Sequence, residues 1–210
     1  MAKGFFRTAV FALLFAGLAA GASAQMTVSG GFALSSVKGV EVSGQNMPVE
    51  GGVGIGGNVY FDYLLPLSIP LSLGLEVGVD GGSFTFGQSP QTTEDKITAI
   101  PILLRAAYHF DLFPKLDLYL VGKLGAAFGI WTGEQRDFLK NNSATVDTIG
   151  GVAFGIDAGV AYYFSPRIGI FGEVGFDDYM LKTKISSQGS SETLKAPFGR
   201  FLTIGLSTKF

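Results

Sequence analysis

The amino-acid sequence predicts an all-β fold, an eight-stranded antiparallel up-and-down transmembrane β-barrel, from three observations. Apolar residues alternate with small or polar residues in one stretch after another, which is the period of strands with one apolar face. Only 15% of the residues are charged whereas 47% are hydrophobic, a balance that is unusual for a soluble domain. The connections between the stretches are alternately long and short, as in barrels whose short turns all lie at one end.

The chain is predicted to begin with a cleaved secretory signal peptide, residues 1–24, followed by the barrel over residues 25–210. A basic flank precedes a short apolar run over residues 8–20, and Ala22 and Ala24 give the small-residue pattern of a cleavage site. The apolar run is shorter than the ~20 residues that a helix needs to span a bilayer.

The clearest strands form a hairpin around Pro166. Alternate residues from Val152 to Phe164 are apolar, and the same pattern resumes from Ile168 to Phe176. In a soluble sheet this apolar face would need a second protein layer, and no other part of the sequence provides one. Lipid is therefore the predicted cover, since membrane-spanning strands are about 9–11 residues long with apolar side chains facing out.

Six further stretches repeat this alternation and complete a set of eight strands, which leaves no open sheet edge. They are predicted over residues 27–37, 53–65, 71–86, 99–110, 116–130 and 198–210. Long polar loops are predicted near Gln45, over residues 88–95 and 133–144, and over residues 182–195. In the last strand, one face is assigned to Phe198, Arg200, Leu202 and Ile204.

Two irregular features accompany these strands. Pro101 cannot donate a ladder hydrogen bond, so a bulge is expected beside it. Aromatic residues gather near both ends of the strands, as they do in interfacial girdles. The aromatic residues at the short-turn end are Tyr63, Tyr108, Phe110, Phe113, Tyr162, Phe164 and Phe210. Those assigned to the opposite rim are Phe86, Phe128, Trp131, Phe176, Tyr179 and Phe198.

With these features and a last strand that ends in an aromatic residue, the sequence resembles the small eight-stranded outer-membrane barrels of diderm bacteria, the OmpA-, OmpX- and OmpW-like proteins of the porin superfamily. The resemblance is architectural and covers the whole mature chain. It implies a place in outer-membrane lipid with both termini in the periplasm. It also implies that periplasmic chaperones and the barrel-assembly machinery are partners during biogenesis, and that Ile204, Leu206 and Phe210 form the C-terminal assembly signal.

Five charged residues are predicted to lie at nearly one height inside the barrel. They are Glu76, Arg105, Lys123, Asp157 and Glu173, which face the lumen on consecutive strands. Charges in so narrow an interior are expected to pair, because eight strands enclose little more than their own side chains. The predicted role is a plug; the alternatives are selection of a small anion by Arg105 and Lys123, or a pair that rearranges to gate a pore.

The sequence predicts no catalytic site, metal, cofactor or nucleic-acid partner. His109 is the only histidine and is expected to be a rim residue, since the spacing brings no serine or second carboxylate to it. One histidine and no cysteine give no typical metal-ligand set. A net charge of -2 does not favour nucleic acid as a partner.

The predicted function is that of a non-enzymatic integral outer-membrane protein, structural and surface-exposed, with a plugged lumen. Its external loops are available for environmental or host contact, or are only solvated connectors, and they identify no extracellular ligand. The alternative is transport of small solutes or hydrophobic compounds through the barrel, in the manner of the OmpW-like proteins. The inward-facing Leu103, Val121 and Phe171 are the residues that would favour transport.

Overall fold

The computed structural model describes residues 25–42, 44–47, 49–88, 91–141, 144–187 and 190–210, so the predicted signal peptide lies outside the described residues. No helix among the residues described is long and apolar enough to cross a membrane. The strands, in chain order, are β1 (Met26–Val37), β2 (Val40–Val42), β3 (Gln45–Met47), β4 (Val49–Gly51), β5 (Val53–Leu64), β6 (Leu71–Gln88), β7 (Gln91–Phe113), β8 (Leu116–Gly133), β9 (Thr145–Val146), β10 (Ile149–Tyr163), β11 (Ile168–Ser187) and β12 (Ser190–Lys209). Helix α1 (Glu134–Asn141) follows β8.

The eight long strands close into a ring. Each pairs antiparallel with its neighbours in the order β1, β5, β6, β7, β8, β10, β11 and β12, and β12 then pairs with β1. The closing register sets Gly30 opposite Leu206. Closure removes the open sheet edge that would otherwise leave backbone groups without partners. The predicted fold class is thus confirmed.

The outer surface of the ring is apolar. Along β10, Val152, Ile156 and Val160 are exposed, whereas the alternate residues Asp157 and Ala161 are buried inside. The same division applies on the other strands, and Phe32 on β1 is 79% exposed. If this belt faced water instead of lipid, the protein would lose about 25 cal/mol of stabilising free energy for each Å² of exposed apolar surface. The alternation that predicted the strands therefore also predicted which side faces lipid.

The aromatic rim at the short-turn end matches the prediction, whereas the opposite rim matches it at Phe128 and Phe176, which are exposed, and not at three other residues. At the short-turn end Tyr108 and Phe110 lie edge to face with their ring centroids 5.1 Å apart, and both are exposed. At the other end, Trp131, Tyr179 and Phe198 are fully buried inside the barrel. They occupy inward-facing positions of β8, β11 and β12, so their assignment to a lipid-facing girdle was wrong.

Two predicted loops are instead continuations of the barrel wall. Strands β6 and β7 stay paired as far as Gln88 opposite Gln91, and β11 and β12 as far as Ser187 opposite Ser190. Apolar and polar residues no longer alternate there, because beyond the lipid belt the outer face of a strand is in contact with water and not with lipid. The backbone ladder, however, continues. We call this end of the barrel the long-hairpin end, and the opposite end the short-turn end.

A β-bulge in β12 changes which residues face the interior. Leu34 of β1 lies opposite Leu202, but the next residue, Ser35, lies opposite Arg200, so Phe201 is an extra residue on β12. Because strand side chains alternate with period 2, one extra residue moves the following set to the other face. Arg200 faces inward on the N-terminal side of the bulge, and Thr203 faces inward on its C-terminal side. Placing Phe198 and Arg200 on the same face as Leu202 and Ile204 was therefore wrong.

The bulge expected at Pro101 is absent. The register between β6 and β7 is the same on both sides of this residue, with Val77 opposite Ile102 and Asp80 opposite Ala99. Gly78 makes room on the facing strand, since a Cβ atom there would lie 3.2 Å from Cγ of Pro101. The small partner, rather than an extra residue, accommodates the ring.

Candidate functional site

A layer of charged side chains crosses the middle of the barrel interior. Its members include all five residues that the alternation placed in the lumen, one on each of five consecutive strands from β6 to β11, and all are buried. We call it the charge layer. The five are Glu76, Arg105, Lys123, Asp157 and Glu173.

Arg105 is the centre of one half of the charge layer. Its Nη1 donates to Oε2 of Glu76 at 2.7 Å, and its Nη2 donates to Oε1 of Glu173 at 2.6 Å. Its Nε lies 3.3 Å from Oδ1 of Asp62. The guanidinium also stacks over the ring of Tyr60, 3.7 Å from the ring centroid. A planar fork with five donors suits this multiple contact better than an ammonium would.

Lys123 connects the remaining carboxylates. Its Nζ pairs with Asp157, lies 3.1 Å from Oδ2 of Asp177 and lies 3.5 Å from both Glu76 and Glu173. The ammonium therefore has four carboxylate neighbours and no exposure of its side chain to solvent. Such a cation is held in place by the surrounding acceptors, because removing it would leave their charges uncompensated.

Four residues of the charge layer were missed by sequence reasoning: Asp62, Asp80, Asp177 and Arg200. Arg200 pairs with Glu76, and its Nη2 donates to Oδ2 of Asp80 at 2.8 Å. Its position was hidden by the bulge at Phe201, yet one signal was available. A lipid-facing arginine near the bilayer midplane costs about 2–4 kcal/mol, so Arg200 beside Leu202 on an apolar face argues for a change of register.

The charge layer is net acidic. Among the described residues, six carboxylates share three cations: Asp62, Glu76, Asp80, Asp157, Glu173 and Asp177 with Arg105, Lys123 and Arg200. Asp62 is buried and contacts Arg105. An excess of buried negative charge repels anions and does not favour anion selection.

Neutral donors complete the charge layer. The amide nitrogen of Asn58 donates to Glu76 at 2.9 Å, and the hydroxyl of Tyr119 donates to Glu173 at 3.0 Å. The hydroxyl of Tyr179 donates to Asp80 at 2.8 Å. Buried carboxylates need such donors because water is not available to hydrate them.

A second barrier, the apolar plug, fills the interior on the long-hairpin side of the charge layer. The rings of Tyr179 and Phe198 stack with centroids 5.8 Å apart, and Trp131 donates its indole N–H to Oδ2 of Asp95 at 2.6 Å. The two barriers lie in series along the barrel axis. The largest side chains of the apolar plug, all buried, are Phe84, Ile97, Trp131, Tyr179, Leu181 and Phe198.

A family model described as the outer membrane protein beta-barrel domain matches residues 8–210 of the sequence. The chain belongs to this family. No curated protein matches the sequence. The ring of eight strands, its apolar belt and the family together identify an outer-membrane barrel, in a lipid environment, as the sequence predicted.

Solved structures support the same fold. The outer membrane protein OprG from Pseudomonas aeruginosa is 15% identical with a TM-score of 0.57, and the match covers 89% of this chain and 95% of that one. A major outer membrane protein from Thermus thermophilus is 13% identical with a TM-score of 0.50, covering 90% and 100%. AlkL, determined in DMPC bilayers, is 16% identical with a TM-score of 0.50, covering 89% and 90%. At these identities the similarity concerns the fold alone.

The short-turn end of this outer-membrane barrel contains a cavity of about 140 Å³. His109 lies in its wall, as expected for a rim residue, but the expectation that no serine and no second carboxylate converge on it was wrong. Ser72 and Asp117 both hydrogen-bond its imidazole. The spacing along the chain could not show this, because the three residues lie on the neighbouring strands β6, β7 and β8.

The C-terminal residues of the barrel lie where the resemblance implied. Ile204 and Leu206 point outward from β12 and are exposed, as is Phe210. The backbone N–H of Phe210 donates to the carbonyl of Met26 at 2.8 Å, so the terminus is held beside the first strand. Recognition of these residues by an assembly machinery stays a prediction.

Proposed function

We propose that this outer-membrane barrel is a closed platform whose role in the envelope is structural, and whose long hairpins contact the surroundings of the cell. The observation that carries the proposal is the filled interior. The charge layer and the apolar plug block the lumen in succession, and their side chains are almost entirely inaccessible to solvent. A rigid scaffold that carries long surface connections is a common arrangement for recognition.

The charge layer opposes opening. Arg105, Lys123 and Arg200 each contact at least two carboxylates, so moving any one of them breaks several ion pairs together. Leaving a buried charge without its partner costs about 3–5 kcal/mol. A transported ion or polar solute would have to offset that cost. It would then have to pass the apolar plug, whose large apolar side chains cannot replace the hydrogen bonds that it makes with water.

The proposed orientation places the long hairpins outside the cell and both termini in the periplasm. It is supported by the asymmetry of the connections, because outer-membrane barrels have short periplasmic turns and longer external loops. The turns after β5, β7 and β10 are short, whereas β6 and β7 continue to Gln88 and Gln91. Handling by periplasmic chaperones and the assembly machinery, with Ile204, Leu206 and Phe210 as the signal, belongs to the same proposal.

The arrangement of the interior gives little support to the transport alternative. Leu103, Val121 and Phe171, which would line an apolar passage, are at most 3% exposed. They pack against other side chains in the described part of the lumen and leave no open wall for a solute. Transport would therefore need the interior to rearrange, which is what a conductance measurement detects.

Single-channel recording in planar bilayers tests the closed platform. The native barrel is expected to show no steady conductance. A charge-layer variant, Arg105→Ala with Glu173→Ala, removes a cation together with its 2.6 Å partner. A plug variant, Tyr179→Ala with Phe198→Ala, removes the stacked rings. Because the barriers are in series, each variant alone is expected to stay closed, and only the combination should conduct.

The control is Phe32→Ala, which shortens a lipid-facing side chain and leaves the interior unchanged. Each protein is first shown to be folded by its heat-modifiable migration in detergent gels. Steady, solute-sensitive opening of the native barrel would contradict the closed platform and support transport instead.

A further inference from the structure

Three side chains at the short-turn end form a continuous hydrogen-bond chain. The Oγ of Ser72 lies 2.9 Å from Nε2 of His109, and Nδ1 of His109 lies 2.8 Å from Oδ1 of Asp117. The other carboxylate oxygen of Asp117 lies 3.6 Å from Nζ of Lys209. A hydroxyl, an imidazole and a carboxylate in this order are the arrangement that activates a serine for nucleophilic attack.

The direction of each hydrogen bond follows from the chemistry of the partners. An ionised carboxylate only accepts, so His109 must donate from Nδ1 to Asp117. In the neutral imidazole the other nitrogen, Nε2, then carries a lone pair, and Ser72 donates its hydroxyl hydrogen to it. Asp117 therefore positions the tautomer that can take a proton from Ser72.

All three side chains line the cavity, where those of His109 and Asp117 are 18% and 16% exposed and Ser72 is 2% exposed. Pro114 and Lys115, which also border the cavity, are exposed turn residues, so the cavity is accessible from the short-turn end. Its volume of about 140 Å³ corresponds to a short acyl or alkyl group rather than a folded polypeptide. Tyr163 and Lys209 contribute a hydroxyl and an ammonium to the same wall.

We propose that Ser72 is a nucleophile toward small activated esters and phosphoryl fluorides that enter this cavity. With a phosphoryl fluoride, the Ser72 oxygen bonds to phosphorus, the P–F bond breaks and fluoride departs, while the proton passes to Nε2 of His109. With an ester, the Ser72 oxygen forms a bond to the carbonyl carbon while its proton passes to the same nitrogen. The ester C–O bond then breaks, and the imidazolium returns that proton to the departing alkoxide. Water, deprotonated by the same imidazole, cleaves the acyl-serine ester, which releases a carboxylic acid and restores the Ser72 hydroxyl.

Turnover is expected to be slow. Strands β6, β7 and β8 use their backbone N–H groups in the ladder, with Ser72 opposite Ala107 and His109 opposite Tyr119. Oxyanion stabilisation therefore falls to side chains of the cavity wall, and the lack of one well-placed oxyanion donor typically costs about 10²–10³ in kcat. Covalent labelling, which needs a single attack, is the more sensitive readout.

The experiment treats the folded barrel in detergent with a short-chain dialkyl fluorophosphate and locates the adduct by peptide mass spectrometry. One adduct is expected, on Ser72, and none on Ser72→Ala. His109→Gln should slow labelling by about 10²-fold or more, since it removes the general base. Asp117→Asn should slow it at least tenfold, because an amide can donate to Nδ1 and so favour the wrong tautomer. Release of 4-nitrophenol from 4-nitrophenyl acetate should follow the same order.

The chain offers a matched control. Ser68 lies in the exposed short turn after β5, at the same end of the barrel, and does not line the cavity. Ser68→Ala should leave the labelling rate unchanged, and the heat-modifiable gel shift confirms that each variant is folded. No adduct on the folded native barrel, or equal labelling of Ser72 and Ser68, would overturn the proposal. The reactivity goes beyond the platform role, and neither result depends on whether the lumen conducts.

Discussion

Arg200 links two parts of the barrel interior at the scale of a single residue. It pairs with Glu76 in the charge layer and donates to Asp80, which also accepts a hydrogen bond from the hydroxyl of Tyr179 in the apolar plug. The bulge in β12 is what turns its side chain inward. A change at this position should therefore disturb both barriers together.

Arg200→Met is expected to lower the free energy of unfolding by about 3–5 kcal/mol, because it leaves Asp80 buried without its cation and removes one of the three cations beside Glu76. The methionine keeps most of the volume, so the loss is electrostatic rather than a cavity effect. Urea unfolding of the barrel in detergent, followed by circular dichroism, measures the difference.

Arg167→Met is the matched control, since Arg167 lies in an exposed short turn and makes no side-chain contact in the described ion-pair network. Its effect should lie within about 0.5 kcal/mol. Equal destabilisation by the two substitutions would show that Arg200 is not held by the carboxylates.

At the scale of the element, the bulge in β12 decides which side chains reach the lumen. Deleting Phe201 would restore a strict period of 2 with Arg200 and Thr203 both still on the inward face, but β12 would then have no residue opposite the part of β11 between Val174 and Asp177. The deleted chain is expected not to form the compact barrel, and to lose its heat-modifiable gel shift after refolding in detergent.

Phe201→Ala distinguishes the effect of losing the Phe201 side chain from the effect of changing the strand register. It keeps the length of β12 and removes only a ring that is 40% exposed, so this variant should refold. If the deletion refolded as efficiently as the substitution, the pairing of β11 with β12 would not depend on the extra residue of β12.

The elements that could be predicted are those in contact with lipid. A lipid-facing strand must be apolar at every second residue, so Val152, Ile156 and Val160 reveal both the strand and its faces. Beyond the lipid belt that requirement ends, and the paired residues up to Gln88 and Ser187 therefore resembled loops. The same reasoning explains why the Phe201 bulge was missed, because alternation assumes an uninterrupted register.

At the scale of the whole molecule, ring closure brings together side chains that are far apart in the sequence. The five lumen charges could be placed on one level because each lies at a similar distance from its short turn. The contribution of β12, and the convergence of Ser72 and Asp117 on His109, needed the register between strands. Period alone gives the face of a residue, whereas its height relative to a neighbouring strand is fixed by pairing.

The position of Trp131 allows its intrinsic fluorescence to report on the interior of the barrel. It is the single tryptophan of the chain, is 2% exposed and donates to Asp95, so its fluorescence arises from one dry site among the stacked rings of the lumen. Hydration of that site shifts indole emission to longer wavelengths. Emission spectra recorded while the barrel folds into vesicles would thus show when water leaves this half of the lumen, without any introduced dye.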